Sequence, residues 1–123
     1  MTKEEMAVRD SYVELLIARA VAQLIDEGIF QGYSERNLNQ RSSGVLLKYL
    51  MAASPERDEL GFVRYFSQMH RDEIRSLRNA GQATQVVLQR ARSLAPYFLD
   101  ELVRYDRMAK ALAELEQTEE EAE

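Results

Sequence analysis

Only two prolines and five glycines interrupt this chain of 123 residues, and no valine- or isoleucine-rich run alternates with polar residues. Proline and glycine are the residues a helix interior tolerates least, and strands announce themselves by a period of two. A chain so sparingly broken, with helix formers filling the stretches between, reads as all-α. The length suits one domain. The expected architecture is a compact bundle of four to five helices over residues 1–116, followed by a disordered acidic C-terminal tail, residues 117–123 (QTEEEAE), which has nothing to bury.

The breakers divide the chain. A first helix is expected from Lys3 to Glu27, capped by Thr2 with Glu5 completing a capping box, and ended by Gly28 in a left-handed conformation with Ile29 and Phe30 folding back. Between Tyr12 and Ile25 only Glu14, Arg19 and Gln23 are polar, so apolar side chains project nearly all round. A surface helix shows a stripe rather than a sleeve. Tyr12, Leu15, Leu16, Val21 and Ile25 are therefore expected to pair two copies of the chain as a homodimer.

Residues 31–43 read as a polar connector in which Ser34 caps a short helix and Ser42 or Ser43 caps the next, which carries Val45 to Met51. Ser54-Pro55 reads as the start of a third helix running to Gly81, with Gly61 loosening its first turns. A fourth helix is expected from Thr84 to Ser93, with Pro96 either starting a fifth or kinking one long helix. The heptad pattern is too short for a long coiled coil.

Composition removes several classes of function. With 46% hydrophobic residues the chain can build a modest core, yet no apolar run approaches the ~20 residues of a membrane span. The first ten residues, MTKEEMAVRD, do not have the form of a signal peptide. The absence of cysteine excludes a disulfide framework, a thiolate metal site and a cysteine nucleophile. A cytoplasmic location is expected, and size and composition suggest a bacterial or phage source. There is no P-loop, no G-x-G-x-x-G, no G-x-S-x-G and no Glu-x-x-His pair of the di-iron bundles. No catalytic residue, metal site or cofactor is expected, and the chain reads as a non-enzyme.

The net charge of −5 is unevenly spread: both ends are acidic, whereas residues 64–95 carry six arginines against Asp72 and Glu73. Four of these, Arg64, Arg71, Arg75 and Arg78, would fall within roughly a 60° arc if residues 56–80 formed one helix. Opposite them stand Phe62, Val63, Phe66, Met69, Ile74 and Leu77. The planar fork of arginine pairs bidentately with carboxylate or phosphate. Such a ridge is a contact surface for an anionic partner, a solvated face, or an internal salt-bridge seam.

Two further features bear on function. Arg36, Asn37, Asn39, Gln40 and Arg41 are side-chain types that read base edges, although Leu38 alone between Ser34 and Ser43 could dock a recognition helix. The plainer reading is an exposed loop rich in capping residues. His70, the single histidine, lies on the apolar side of the expected third helix and reads as a core or rim residue, since one histidine with Glu73 is too small a ligand set for a metal. The sequence thus points to a small regulatory or adaptor protein that binds a protein partner through a basic helical face made by Arg64, Arg71, Arg75 and Arg78, extended by Arg36 and Arg41. A nucleic-acid-binding protein using the same arginines with Asn37, Asn39 and Gln40 is the alternative.

Overall fold

The computed structural model describes residues 12–122, with side chains to residue 118. Five helices follow in order: α1 Tyr12–Asp26, α2 Glu35–Ala53, α3 Glu59–Gln68, the short α4 Arg71–Arg75, and α5 Gln82–Ala122. The described residues hold no strand. The expected start at Lys3 with its Thr2–Glu5 capping box lies outside the described residues, as does the tail expectation for the side chains from 119 onward.

α1 buries Val13, Leu16, Ile17, Ala20, Val21 and Leu24, a stripe at helical spacing, against α2, α3 and α5. The sleeve seen in the sequence is thus not uniformly buried. Leu15 is 47% exposed and Ala22 is exposed, because the apolar residues on the outer face are mostly alanines, which cost little to leave in water. Gly28 ends the helix as expected: at φ 78° its N–H donates to Ile25 O at 2.9 Å, and the Ile29 N–H donates to Leu24 O at 3.0 Å. That is the paired closure of a Schellman turn, and it folds Phe30 into the core.

The expected polar connector is largely helix. Ser34 caps a continuous α2, its Oγ accepting from the Asn37 N–H at 3.3 Å, and the helix runs through Ser42 and Ser43. Both serines are buried, and the Ser43 Oγ donates to Asn39 O at 2.6 Å, the back-bond that lets a hydroxyl sit inside a helix. Leu38, Leu46 and Leu50 carry the helix into the core.

Ser54 closes α2 rather than opening the next helix: its N–H donates to Leu50 O at 2.9 Å. Asp58 caps α3 instead, its Oδ1 accepting from the Gly61 N–H at 2.8 Å. α3 then stops at Gln68, short of the expected single helix to Gly81. Met69 and His70 take extended backbone angles, which turns Met69 into the core and leaves His70 exposed. The Met69 carbonyl released by this break is taken by the Arg92 Nε–H at 2.9 Å. His70 is therefore a cap and not a core residue: its Nδ1 accepts from the Asp72 N–H at 3.1 Å and starts α4. The chain leaves α4 through Asn79 at φ 66°, so Asn79, and not Gly81, holds the left-handed position there.

α5 continues through Pro96, which is exposed, as one long helix rather than giving way to a new helix there. Its first half is the spine of the bundle, burying Val87, Leu88, Ala91, Ala95 and Phe98. Contacts join it to all four other helices. It runs antiparallel to α1, tied by Arg90 with Glu27 at one end and by Arg19 with Glu101 at 2.8 Å at the other. From Arg104 to Thr118 every residue is exposed. No helix among the described residues is long and apolar enough to cross a membrane.

Candidate interaction surface

The helix break at Met69–His70 reorganises the arginine ridge. Arg64 stays on the outer face of α3, Arg71 and Arg75 move onto α4, and Arg78 falls in the turn after it. The 60° arc expected for one helix does not exist, because the register restarts at the His70 cap. Arg71 and Arg75 face a shallow polar groove between α4 and α5, shared with His70, Asp72, Gln89 and Arg92. Arg78 lies across α4 at a more apolar groove against α2, floored by Val45, Ala52 and Leu77 with Lys48 beside it. Neither groove includes Arg64, Arg36 or Arg41. Lys48 and Arg92 join the basic surface without having been singled out in the sequence, where Lys48 stands alone in a leucine-rich run and Arg92 beside Arg90.

All six expected arginines are exposed. Arg64, Arg71 and Arg78 have no ion pair or side-chain hydrogen bond among the described residues, and Arg75 has only Asp72, at 3.9 Å. The arginines that bond within the chain are others. Arg90 makes a bidentate pair with Glu27, including a 2.9 Å bond from Nη2 to Oε1. Arg19 stacks on Phe98 at 4.8 Å while pairing Glu101, and Arg57 covers Tyr65 at 5.4 Å while its Nε–H donates to Ser54 Oγ. An internal seam therefore exists, but it runs between α1 and α5. Its hydrogen bond from Arg90 holds the Glu27 carboxyl below its ordinary value of 4.5.

Behind α4, Tyr49 donates to the Glu73 carboxylate at 2.9 Å. Partial burial, and then this bond, push the Tyr49 hydroxyl well above its ordinary 10.0. The contact links α4 to α2, while α4 packs chiefly on α5.

The residues of the nucleic-acid reading stand on the first turns of α2. Arg36, Asn37, Gln40 and Arg41 are exposed and share an outer arc of roughly 140°. Asn39 is half-buried with an Oδ1 that lacks a hydrogen-bond partner, so its carbonyl is turned inward. Of the residues expected at a dimer contact, Leu16 and Val21 are fully buried in the chain's own core, Tyr12 and Ile25 are half-buried, and Leu15 faces outward. Among the described residues no group of three or more His, Asp or Glu side chains is placed to hold a metal ion. Comparison with protein-family models, with curated proteins and with solved structures finds no match for the chain.

Proposed function

We propose that this chain is a small non-enzymatic regulatory or adaptor protein that binds an acidic protein surface through the arginines around α4. One observation carries the reading: among the described residues Arg71 and Arg78 are exposed and have no carboxylate partner, and Arg75 has only a long contact, while the arginines that stabilise the bundle lie elsewhere. Exposed guanidinium groups held by a docked helix are preorganised donors for carboxylates, and they supply on-rate and register to an encounter. Arg64, Arg36 and Arg41 lie outside this centre and extend the basic surface toward α3 and α2. A cytoplasmic setting suits such a chain, which carries no cysteine.

A second reading, nucleic-acid binding, is favoured by Arg36, Asn37, Gln40 and Arg41 standing side by side on the outer face of α2. One experiment separates the two. The wild type and the Arg71→Glu/Arg75→Glu/Arg78→Glu variant are compared in affinity capture of acidic partners and in titrations of random DNA and RNA pools across a salt series. Protein binding predicts a partner retained by the wild type and lost by the variant, whose stability stays within about 0.5 kcal/mol because the sites are exposed. Salt-steep binding of the pools, with a slope set by the number of phosphates neutralised, would move nucleic acid to first place. A variant that unfolds would show the arginines to be structural and sink both readings of α4.

A further inference from the structure

Among the described residues the C-terminal part of α5 is approached only at its start, where Asp106 and Lys110 share a pocket with Tyr12, Asp58 and Leu60. Every residue from Arg104 to Thr118 is exposed, an overhang of about 22 Å at helical rise. Yet it carries Tyr105, Met108, Leu112 and Leu115, which are 67, 70, 58 and 63% exposed. Their spacing of 3, 4 and 3 is the a/d alternation of a two-heptad seam and confines them to an arc of roughly 80°. Ala109 and Ala111 flank the stripe on its two sides and let another helix approach closely. An isolated helix of this length is marginal in water, and its stability comes from packing such a stripe against something.

We infer that the overhanging end of α5 is a homodimer interface, in which two copies pair antiparallel along Tyr105, Met108, Leu112 and Leu115. The charges choose both occupant and direction. Residues 104–110 hold Arg104, Arg107 and Lys110 against Asp106, whereas residues 111–123 hold six glutamates and no base. Lys110 pairs with Asp106 at 3.0 Å, which leaves Arg104 and Arg107 unpaired in the first half and Glu114 and Glu116 unpaired in the second among the described residues. Antiparallel packing lays the basic half of each copy over the acidic half of the other. Parallel packing would set glutamates against glutamates within a Debye length of roughly 8–10 Å. The chain's own residues 1–11 are a poorer occupant. Their four apolar side chains, Met1, Met6, Ala7 and Val8, are interspersed with five charged ones, Lys3, Glu4, Glu5, Arg9 and Asp10.

The test is sedimentation equilibrium of the full chain with Leu112→Glu, and with Gln117→Glu as a control on the far side of the same helix. A wild-type dimer, retained in Gln117→Glu and weakened about tenfold or more in Leu112→Glu with unchanged bundle helicity, supports the interface. So does a dimer weakened by Arg104→Glu and restored by adding Glu116→Lys, the two charges that flank the stripe and stand level with each other in the antiparallel pair. Because the chain lacks cysteine, direction is read by cross-linking. Tyr105→Cys mixed with Leu115→Cys should form a mixed disulfide in the antiparallel dimer, where two copies of residue 105 stand about 15 Å apart. A wild type that stays monomeric up to its solubility limit overturns the inference and leaves the stripe to residues 1–11 or to a different protein. A dimer indifferent to Leu112→Glu overturns it as well, and self-cross-linking of each single variant overturns the antiparallel arrangement.

Discussion

Tyr49 shows how a single side chain ties the basic surface to the core. Its ring is half-buried between α2 and α4, and its hydroxyl gives its proton to Glu73. Ionisation would strand a phenolate beside a carboxylate in a poorly solvated place, so the folded state resists it. The unfolded chain begins to ionise this group near 10.0, while the folded chain still holds the proton. Above that pH the unfolded state binds fewer protons than the folded one, and stability falls as pH rises. Denaturant unfolding between neutral and strongly alkaline pH should therefore show a loss of stability that begins near 10.0, with Tyr49→Phe removing part of that loss. Equal alkaline losses in the two proteins would contradict the Tyr49–Glu73 contact.

At the scale of helices, two glycines with the same apparent role behave differently. Gly44 lies on the exposed side of α2, and a Cβ there would meet nothing within 4 Å. Gly61 lies in the first turn of α3, where a Cβ would press on Arg57 Cβ at 3.0 Å and on the capping Asp58 Oδ1 at 3.1 Å. Glycine at 61 lets the cap close, which reverses the expectation that it merely loosens the helix. Gly44→Ala should stabilise the protein by about 0.5–1 kcal/mol, the usual gain in a helix interior. Gly61→Ala should give no such gain, and a lower thermal midpoint is the expected result. Similar stabilisation by both would show the cap to be slack. The ends of α3 and α4 show why helix boundaries were harder to read than helix existence. Met69, His70 and Asn79 carry no strong breaker signal, and the break is stabilised by Arg92, whose Nε–H donates to the freed Met69 carbonyl from 23 residues away.

Across the whole molecule, one buried cluster draws on all five helices, with Leu16, Leu46, Phe66, Ile74 and Leu88 at its fully buried centre. Phe66 is the largest of these side chains. Phe66→Ala should cost about 3–5 kcal/mol, a large part of the 5–15 kcal/mol by which domains are ordinarily stable. Urea titration should show the midpoint fall sharply; a shift worth under about 1 kcal/mol would mean that the centre repacks or that α3 is not part of the cooperative unit. Charge is arranged at this scale too. The α1–α5 seam neutralises Arg19 and Arg90 internally, the basic surface gathers around α4, and the acids of the α5 overhang project beyond the bundle.

The amino-acid order alone determined the helical class, the left-handed turn at Gly28, the apolar core face of α3 and the unequal distribution of charge, whereas the sleeve of α1 did not say which of its sides the chain itself would bury. These depend on local propensity, on spacing within one helix and on composition, all of which act without reference to the rest of the chain. Tertiary structure decided the remainder. The break at Met69 depends on Arg92 of α5, which reaches the freed carbonyl from another helix, whereas Ser43 inside α2 bonds to its own helix and α5 continues through an exposed Pro96. The same dependence sorted the arginines: Arg19 and Arg90 found carboxylates across the α1–α5 contact, while Arg64, Arg71 and Arg78 have none among the described residues. A cation's role is set by which acids the fold brings within reach, and that distance in space is not written in the distance along the chain.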